Sequence, residues 1–142
     1  MYQKDYLLRM IEMFGDLLRA IFGMISQKEF RQASRELNEA YLTMLRKDAS
    51  FFQRIPIHEL TTTLISDHHY THAHLEVLAG LFYAEATLQY ANNRLTDSLS
   101  FYQKSLLLFE FVDKEYRTYS DERLQTMEQI RKRILEIEER AV

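Results

Sequence analysis

The sequence predicts an all-α domain of antiparallel helical hairpins, five to six helices in one chain. Three observations carry that expectation. Apolar residues recur at spacings of three and four almost from end to end, the signature of amphipathic helices. Three glycines and a single proline, Pro56, are too few turn-formers for a sandwich or a barrel. At 142 residues and 46% apolar content the chain can bury one real core, so residues 1–142 form a single domain.

Each element follows from local pattern. Leu7, Met10 (with Ile11), Phe14, Leu17, Ile21 and Ile25 form the stripe of a first helix, and Gln27-Lys28-Glu29 reads as a polar turn. Phe30, Ala33, Leu37, Ala40 and Leu45 line a second. The pattern then breaks over 48–56, and Pro56, tolerated in a helix only within its first turn, opens a short third helix over 56–65. Thr61, Thr62 and Thr63 weaken it. Ser66 or Asp67 offers an N-cap for a long helix over 68–92, buried along Leu75, Leu78, Ala79, Phe82 and Ala86 and ended by Asn92 and Asn93. Leu99, Tyr102, Leu106 and Phe109 mark the next helix, over 95–114. Ser120 or Asp121 caps the last, over 120–140, whose stripe is Leu124, Met127, Ile130, Ile134 and Ile137.

Composition excludes several classes. The net charge is −3, spread over both halves, without the basic stripe of a nucleic-acid binder. The chain has no cysteine, hence no disulfide, thiolate nucleophile or Cys-type zinc site. Arg9, Glu12, Asp16 and Arg19 interrupt the apolar N-terminal stretch. A membrane span needs about 20 apolar residues and a signal peptide an uninterrupted core of about 7–15. No membrane association is expected, and the simplest localisation is cytoplasmic.

Two helices share a sparse pattern. Phe30, Ala33, Leu37 and Ala40 stand at intervals of three, four and three, and Leu95, Ser98, Tyr102 and Ser105 repeat them. Small residues at the second and fourth places admit a neighbouring backbone closely. The segment Phe82-Tyr83-Ala84-Glu85-Ala86, the turn Asn92-Asn93-Arg94, then Ser98 and Phe101-Tyr102-Gln103-Lys104-Ser105-Leu106 resembles one tetratricopeptide repeat. Residues 14–45 are similar to a degenerate second copy, so the hairpins would span about 14–45 and 79–112, with a capping helix over about 120–140. Ile21 stands where the pattern has a small residue, Gln89 replaces an aromatic, and no proline closes either copy. The resemblance implies a TPR-like domain of a bacterial helical family, built as a right-handed superhelix or a closed bundle. It also implies peptide or protein binding without catalysis.

Four of the five histidines fall within Asp67-His68-His69-Tyr70-Thr71-His72-Ala73-His74. On a helix beginning at residue 68, His68, His69, His72 and Glu76 have spacings suited to metal coordination, although ligands drawn from one helix seldom complete a site. Projection of the same helix at about 100° per residue places His69, His72, Glu76, Tyr83, Thr87 and Tyr90 within about 60° of one another, beside the buried side. This polar and aromatic strip, about 30 Å long, is the candidate binding surface. In the resembled repeats the places of Tyr83, Thr87 and Tyr90 line the peptide groove.

No Gly-rich phosphate loop and no nucleophile, base and acid pattern is visible, so no catalytic residue and no cofactor is expected. The expected function is a non-catalytic interaction module that binds a protein or peptide in a helical groove. The alternatives are a self-associating helical scaffold, as a homodimer, and a metal-binding bundle using the histidine cluster.

Overall fold

The structure, a computed structural model, describes residues 2–116 and 119–141, the side chains of residues 2–5 and 7 excepted. Leu7 of the predicted stripe thus lies outside the described residues. The described chain contains no strand and seven α-helical segments: α1 (Tyr2–Ser26), α2 (Phe30–Leu45), α3 (Ala49–Gln53), α4 (Leu60–Thr62), α5 (His72–Ala91), α6 (Leu95–Tyr116) and α7 (Asp121–Arg140). The all-α class holds.

The first hairpin follows its periodicity. Met10, Phe14, Ile21 and Ile25 of α1 are buried, as are Ala33, Leu37, Ala40 and Leu45 of α2. Between them Lys28 adopts a left-handed φ of 64°, and the Glu29 N–H donates to the Met24 carbonyl at 2.8 Å, closing the turn. Tyr41, outside the predicted stripe, is fully buried and stacks on Phe52, ring centres 5.8 Å apart.

The segment between the hairpins departs from expectation. The break predicted over 48–56 contains a helix, because the Asp48 carboxylate caps α3, accepting from the Phe51 N–H at 2.9 Å. Buried Phe52 anchors that turn. Past Pro56 the chain winds through a 3-10 turn (Ile57–Glu59), α4 and a π turn (Thr63–Asp67) in place of one regular helix. Three consecutive β-branched threonines do not sustain regular winding. The next helix starts at His72 and not at 68. His69 has a left-handed φ of 56°, and the cap is Thr71, not Ser66 or Asp67. The Thr71 hydroxyl accepts from the His74 N–H at 3.4 Å, and the Thr71 N–H donates to His74 Nδ1 at 3.1 Å, a reciprocal cap.

α5 is the central helix. Leu75, Leu78, Ala79, Phe82 and Ala86 are buried as projected, but so are Val77, Leu81, Ala84 and Leu88 on other sides. The cause is that α5 packs against α1, α2 and α6 at once. Gly80 makes the α1 approach possible: a Cβ there would stand 2.5 Å from the Phe14 ring. The small positions of the repeated pattern do the same for α6. The Ser98 hydroxyl donates to the Ala86 carbonyl at 2.8 Å, and the Ser105 hydroxyl to the Ala79 carbonyl at 2.6 Å. Ser120 caps α7, accepting from the Arg123 N–H at 3.1 Å, and α7 packs on α6 through Met127, Ile130 and Ile137.

Candidate functional site

α1, α5 and α7 enclose an open groove of about 730 Å³. α1 contributes Ile11, Leu18 and Phe22, an apolar wall carried one helical turn or two apart. α7 contributes the polar side chains Glu122, Thr126 and Gln129, and the Phe109 side chain of α6 lies beneath. Tyr83 of α5 joins both walls. Its ring meets Phe22 of α1 with centres 5.0 Å apart, and its hydroxyl donates to Gln129 Oε1 of α7 at 3.0 Å. Burial pushes the Tyr83 hydroxyl above its ordinary pKa, so the phenol stays a donor at neutral pH.

The groove is also where Arg123 is held. Its side chain, 5% exposed, reaches from α7 to Glu76 of α5 and to Asp113 of α6, the latter at 2.9 Å. One guanidinium therefore ties three helices, and the fork geometry of arginine suits two carboxylates at once. Arg19 is paired likewise with Asp16 on α1. Four carboxylates against two guanidiniums line the groove, and Glu12 and Glu122 have no ion pair among the described residues. Its field is therefore negative.

The predicted strip is placed as follows. Glu76 and Tyr83 line the groove. Thr87 turns inward, its hydroxyl donating to the Tyr83 carbonyl at 2.9 Å and lying 3.3 Å from the Tyr102 hydroxyl. Tyr90 lies under two cations of α7, the Arg133 guanidinium 4.0 Å and the Arg140 guanidinium 5.6 Å from its ring centre. His72 packs on Tyr116, and His69, exposed and ahead of the helix, does not join the strip. The structure thus brings two of the six to the groove.

The histidines are dispersed by the late start of α5. His68 stands edge-on to Phe51, His74 serves the cap, and Glu76 belongs to Arg123. Among the described residues no three His, Asp or Glu side chains converge on a point that would hold a metal ion. No described helix is long and apolar enough to cross a membrane.

Two site features escaped the projection. Arg123 lies four residues before Met127 and seven before Ile130, on the same stripe, which is the available signal that a charge is buried there. Of the apolar wall of α1, Ile11 stood beside Met10 in the predicted stripe, whereas Leu18 and Phe22 lay outside it. No family model, curated protein or solved structure matches this chain.

Proposed function

We propose that the chain is a non-catalytic interaction module that holds a cationic, amphipathic peptide segment of a protein partner in the groove between α1 and α7. The observation that carries the reading is the pairing of an apolar wall, Ile11, Leu18 and Phe22, with two carboxylates, Glu12 and Glu122, that have no ion pair among the described residues, around one groove of about 730 Å³. Apolar surface supplies affinity, and the negative rim selects and steers a basic partner. Tyr83 supplies a rigid anchor with a polar tip at the floor. The TPR-like reading of the sequence fits this placement. The first helix of each proposed hairpin, α1 and α5, and the capping helix α7 are the three that form the groove.

The test uses a matched pair of designed amphipathic peptides with one leucine pattern, one bearing lysine and the other glutamate on the polar face. The lysine peptide should bind saturably and shift the amide signals of Ile11, Phe22, Tyr83 and Gln129 in nuclear magnetic resonance spectra. Equal binding of both peptides, or shifts confined to other surfaces, would overturn the reading.

Self-association is the second reading, favoured by Tyr6 and Met13 on the outside of α1, 59% and 68% exposed. Sedimentation of a monomer at high concentration would dismiss it.

A further inference from the structure

A second cavity, of about 430 Å³, opens between α2, α3 and α5 and shares no residue with the groove. Its lining is mostly polar: Ser34 and Asn38 from α2, Asp48 and Ser50 at the start of α3, Gln53 at its end, and Glu85 from α5. Leu42, 52% exposed, and Ala49 give it an apolar edge.

Glu85 is the unusual member. Its side chain stands on the most buried helix, 7% exposed, and no cation of the described residues pairs with it. Gln53 Nε2 donates to it at a long 3.4 Å, and the neighbouring Tyr41 hydroxyl offsets only part of the effect of burial on its carboxyl. The hydroxyl of Tyr41, fully buried beside Glu85 and Gln53, meets no partner in hydrogen-bonding geometry among the described residues. The ammonium of Lys104, from α6, is engaged elsewhere, donating to the Gln53 carbonyl at 2.9 Å and lying over the Phe82 ring. A carboxyl desolvated without a counter-ion is costly, and the cost is recovered when a cation arrives in good geometry.

We propose that this cavity binds the primary ammonium group of a small alkylamine, with Glu85 as its counter-ion. An ammonium has three donors and no acceptor. The cavity answers with acceptors: the Glu85 carboxylate, the Ser34 and Ser50 hydroxyls and the Asn38 amide oxygen. Asp48, whose carboxylate already accepts from Phe51 and Ser50, adds negative potential at the rim and disfavours anions. Leu42 and Ala49 cover the alkyl stem. Two carboxylates without a third ligand suit an organic cation better than a bare metal ion.

Burial pushes the Glu85 carboxyl up to about 7, so the amine binds with release of a proton below that pH. The other ionisable groups facing Glu85 are Tyr41 of α2 and, more distantly, Asp48 and Lys104. Burial raises the first and lowers the last, and hydrogen bonds from Phe51 and Ser50 lower Asp48.

The probe is butylammonium chloride, titrated against the full chain by nuclear magnetic resonance. Tetramethylammonium, which has no N–H donor, and N-acetyl-lysine methylamide run in parallel. Butylammonium should shift the amides of Ser50, Gln53 and Glu85 saturably, bind more tightly as pH rises through about 7, and bind about tenfold more weakly to Glu85→Gln. Tetramethylammonium should leave those signals unmoved. Should Glu85→Gln fold poorly, Asn38→Lys, which plants an ammonium at the exposed rim, should abolish butylammonium binding instead. Comparable binding of the lysine derivative assigns the site to a partner's lysine, and its failure beside bound butylammonium assigns it to a free amine. Absence of saturable shifts, equal effects of tetramethylammonium, or undiminished binding by a folded variant would overturn the proposal.

Discussion

Arg123 of α7 is bound to Glu76 of α5 across the floor of the groove, with its guanidinium 5% exposed and shared with Asp113 of α6. α7 meets the fold through its apolar stripe, through Gln129 on Tyr83 and through Arg133 and Arg140 on Tyr90, and Arg123 adds a tie at its first turn. The pair also keeps a carboxylate and a guanidinium of the groove neutral toward each other, leaving Glu12 and Glu122 to set its charge.

Removal of this tie is the first prediction. Arg123→Met keeps most of the apolar stem but strands Glu76 and Asp113 without their cation. The expected loss is about 3 kcal/mol, the lower end of the range for breaking a buried pair, because Asp113 remains 34% exposed and can hydrate. Urea unfolding should show a lower midpoint with an unchanged slope. A change below about 0.5 kcal/mol would mean that the triad holds nothing together.

Gly80 gives the second. A methyl group there meets the Phe14 ring at 2.5 Å, and Phe14 is itself only 6% exposed. Alanine favours helix by about 1 kcal/mol over glycine, but forcing a buried ring aside costs about 1–3 kcal/mol, so Gly80→Ala should destabilise by about 1 kcal/mol net. Phe14→Leu makes room. In a double-mutant cycle the pair should therefore lose less than the sum of the single variants, a coupling that only direct contact produces.

The sequence and the structure agree where a helix has one apolar face and disagree where tertiary packing overrides it. The stripes of α1 and α2 were legible because solvent on the far side forces charge there, as Arg31, Arg35 and Glu39 do on α2. On α7 Met127, Ile130 and Ile137 are buried as predicted, but Leu124 is 39% exposed and its neighbour Arg123 takes the buried place. α5 hid its nature: between Leu75 and Ala91 its only charged residues are Glu76 and Glu85, and a helix buried on several sides has no periodic contrast to read. The late start at His72 was hidden too, since a left-handed residue at His69 and a Thr71–His74 cap leave a weaker trace than the alternative caps Ser66 and Asp67. Of the groove, Glu76 and Tyr83 were legible from α5 alone. The walls were not, because which helices flank α5 is decided by packing between segments far apart in the chain.

Glu85 makes stability depend on pH in a definite direction. In the unfolded chain its carboxyl titrates near its ordinary value of 4.5, and burial in the fold pushes it up to about 7. A raised carboxyl pKa means the folded state holds the proton more tightly, so its contribution is fully present below about 4.5, falls as pH rises, and is lost above about 7. Relative to Glu85→Gln, which never ionises, the wild type should therefore lose on the order of 3 kcal/mol across that window and then level off. Opposing effects, such as that of His74, whose pKa burial lowers, cancel in the difference. A difference that stayed flat with pH would place Glu85 in contact with water or with a cation.

The groove charges yield a prediction that separates binding from folding. Glu12 and Glu122 are exposed and unpaired among the described residues, so Glu12→Lys and Glu122→Lys should leave the unfolding midpoint within experimental error. Each should weaken the lysine-bearing peptide by about two- to fivefold at low ionic strength, mainly through a slower association rate. Added salt should erase most of the difference once the screening length falls below about 10 Å.

The serines on α6 test why the repeated pattern has small residues. Ser105 is fully buried and its hydroxyl donates to the Ala79 carbonyl at 2.6 Å, so α6 and α5 approach closely at that point. Ser105→Ala removes one hydrogen bond but leaves the helix carbonyl with its backbone partner, and should cost about 1 kcal/mol. Ser105→Val removes the same bond and adds volume where two backbones meet, and should cost about 2–4 kcal/mol. The order of the two variants carries the argument: if valine were no worse than alanine, close approach would not be what the small residue provides. Ser98, bonded to the Ala86 carbonyl at 2.8 Å two turns earlier, should show the same order, because it meets α5 in the same way.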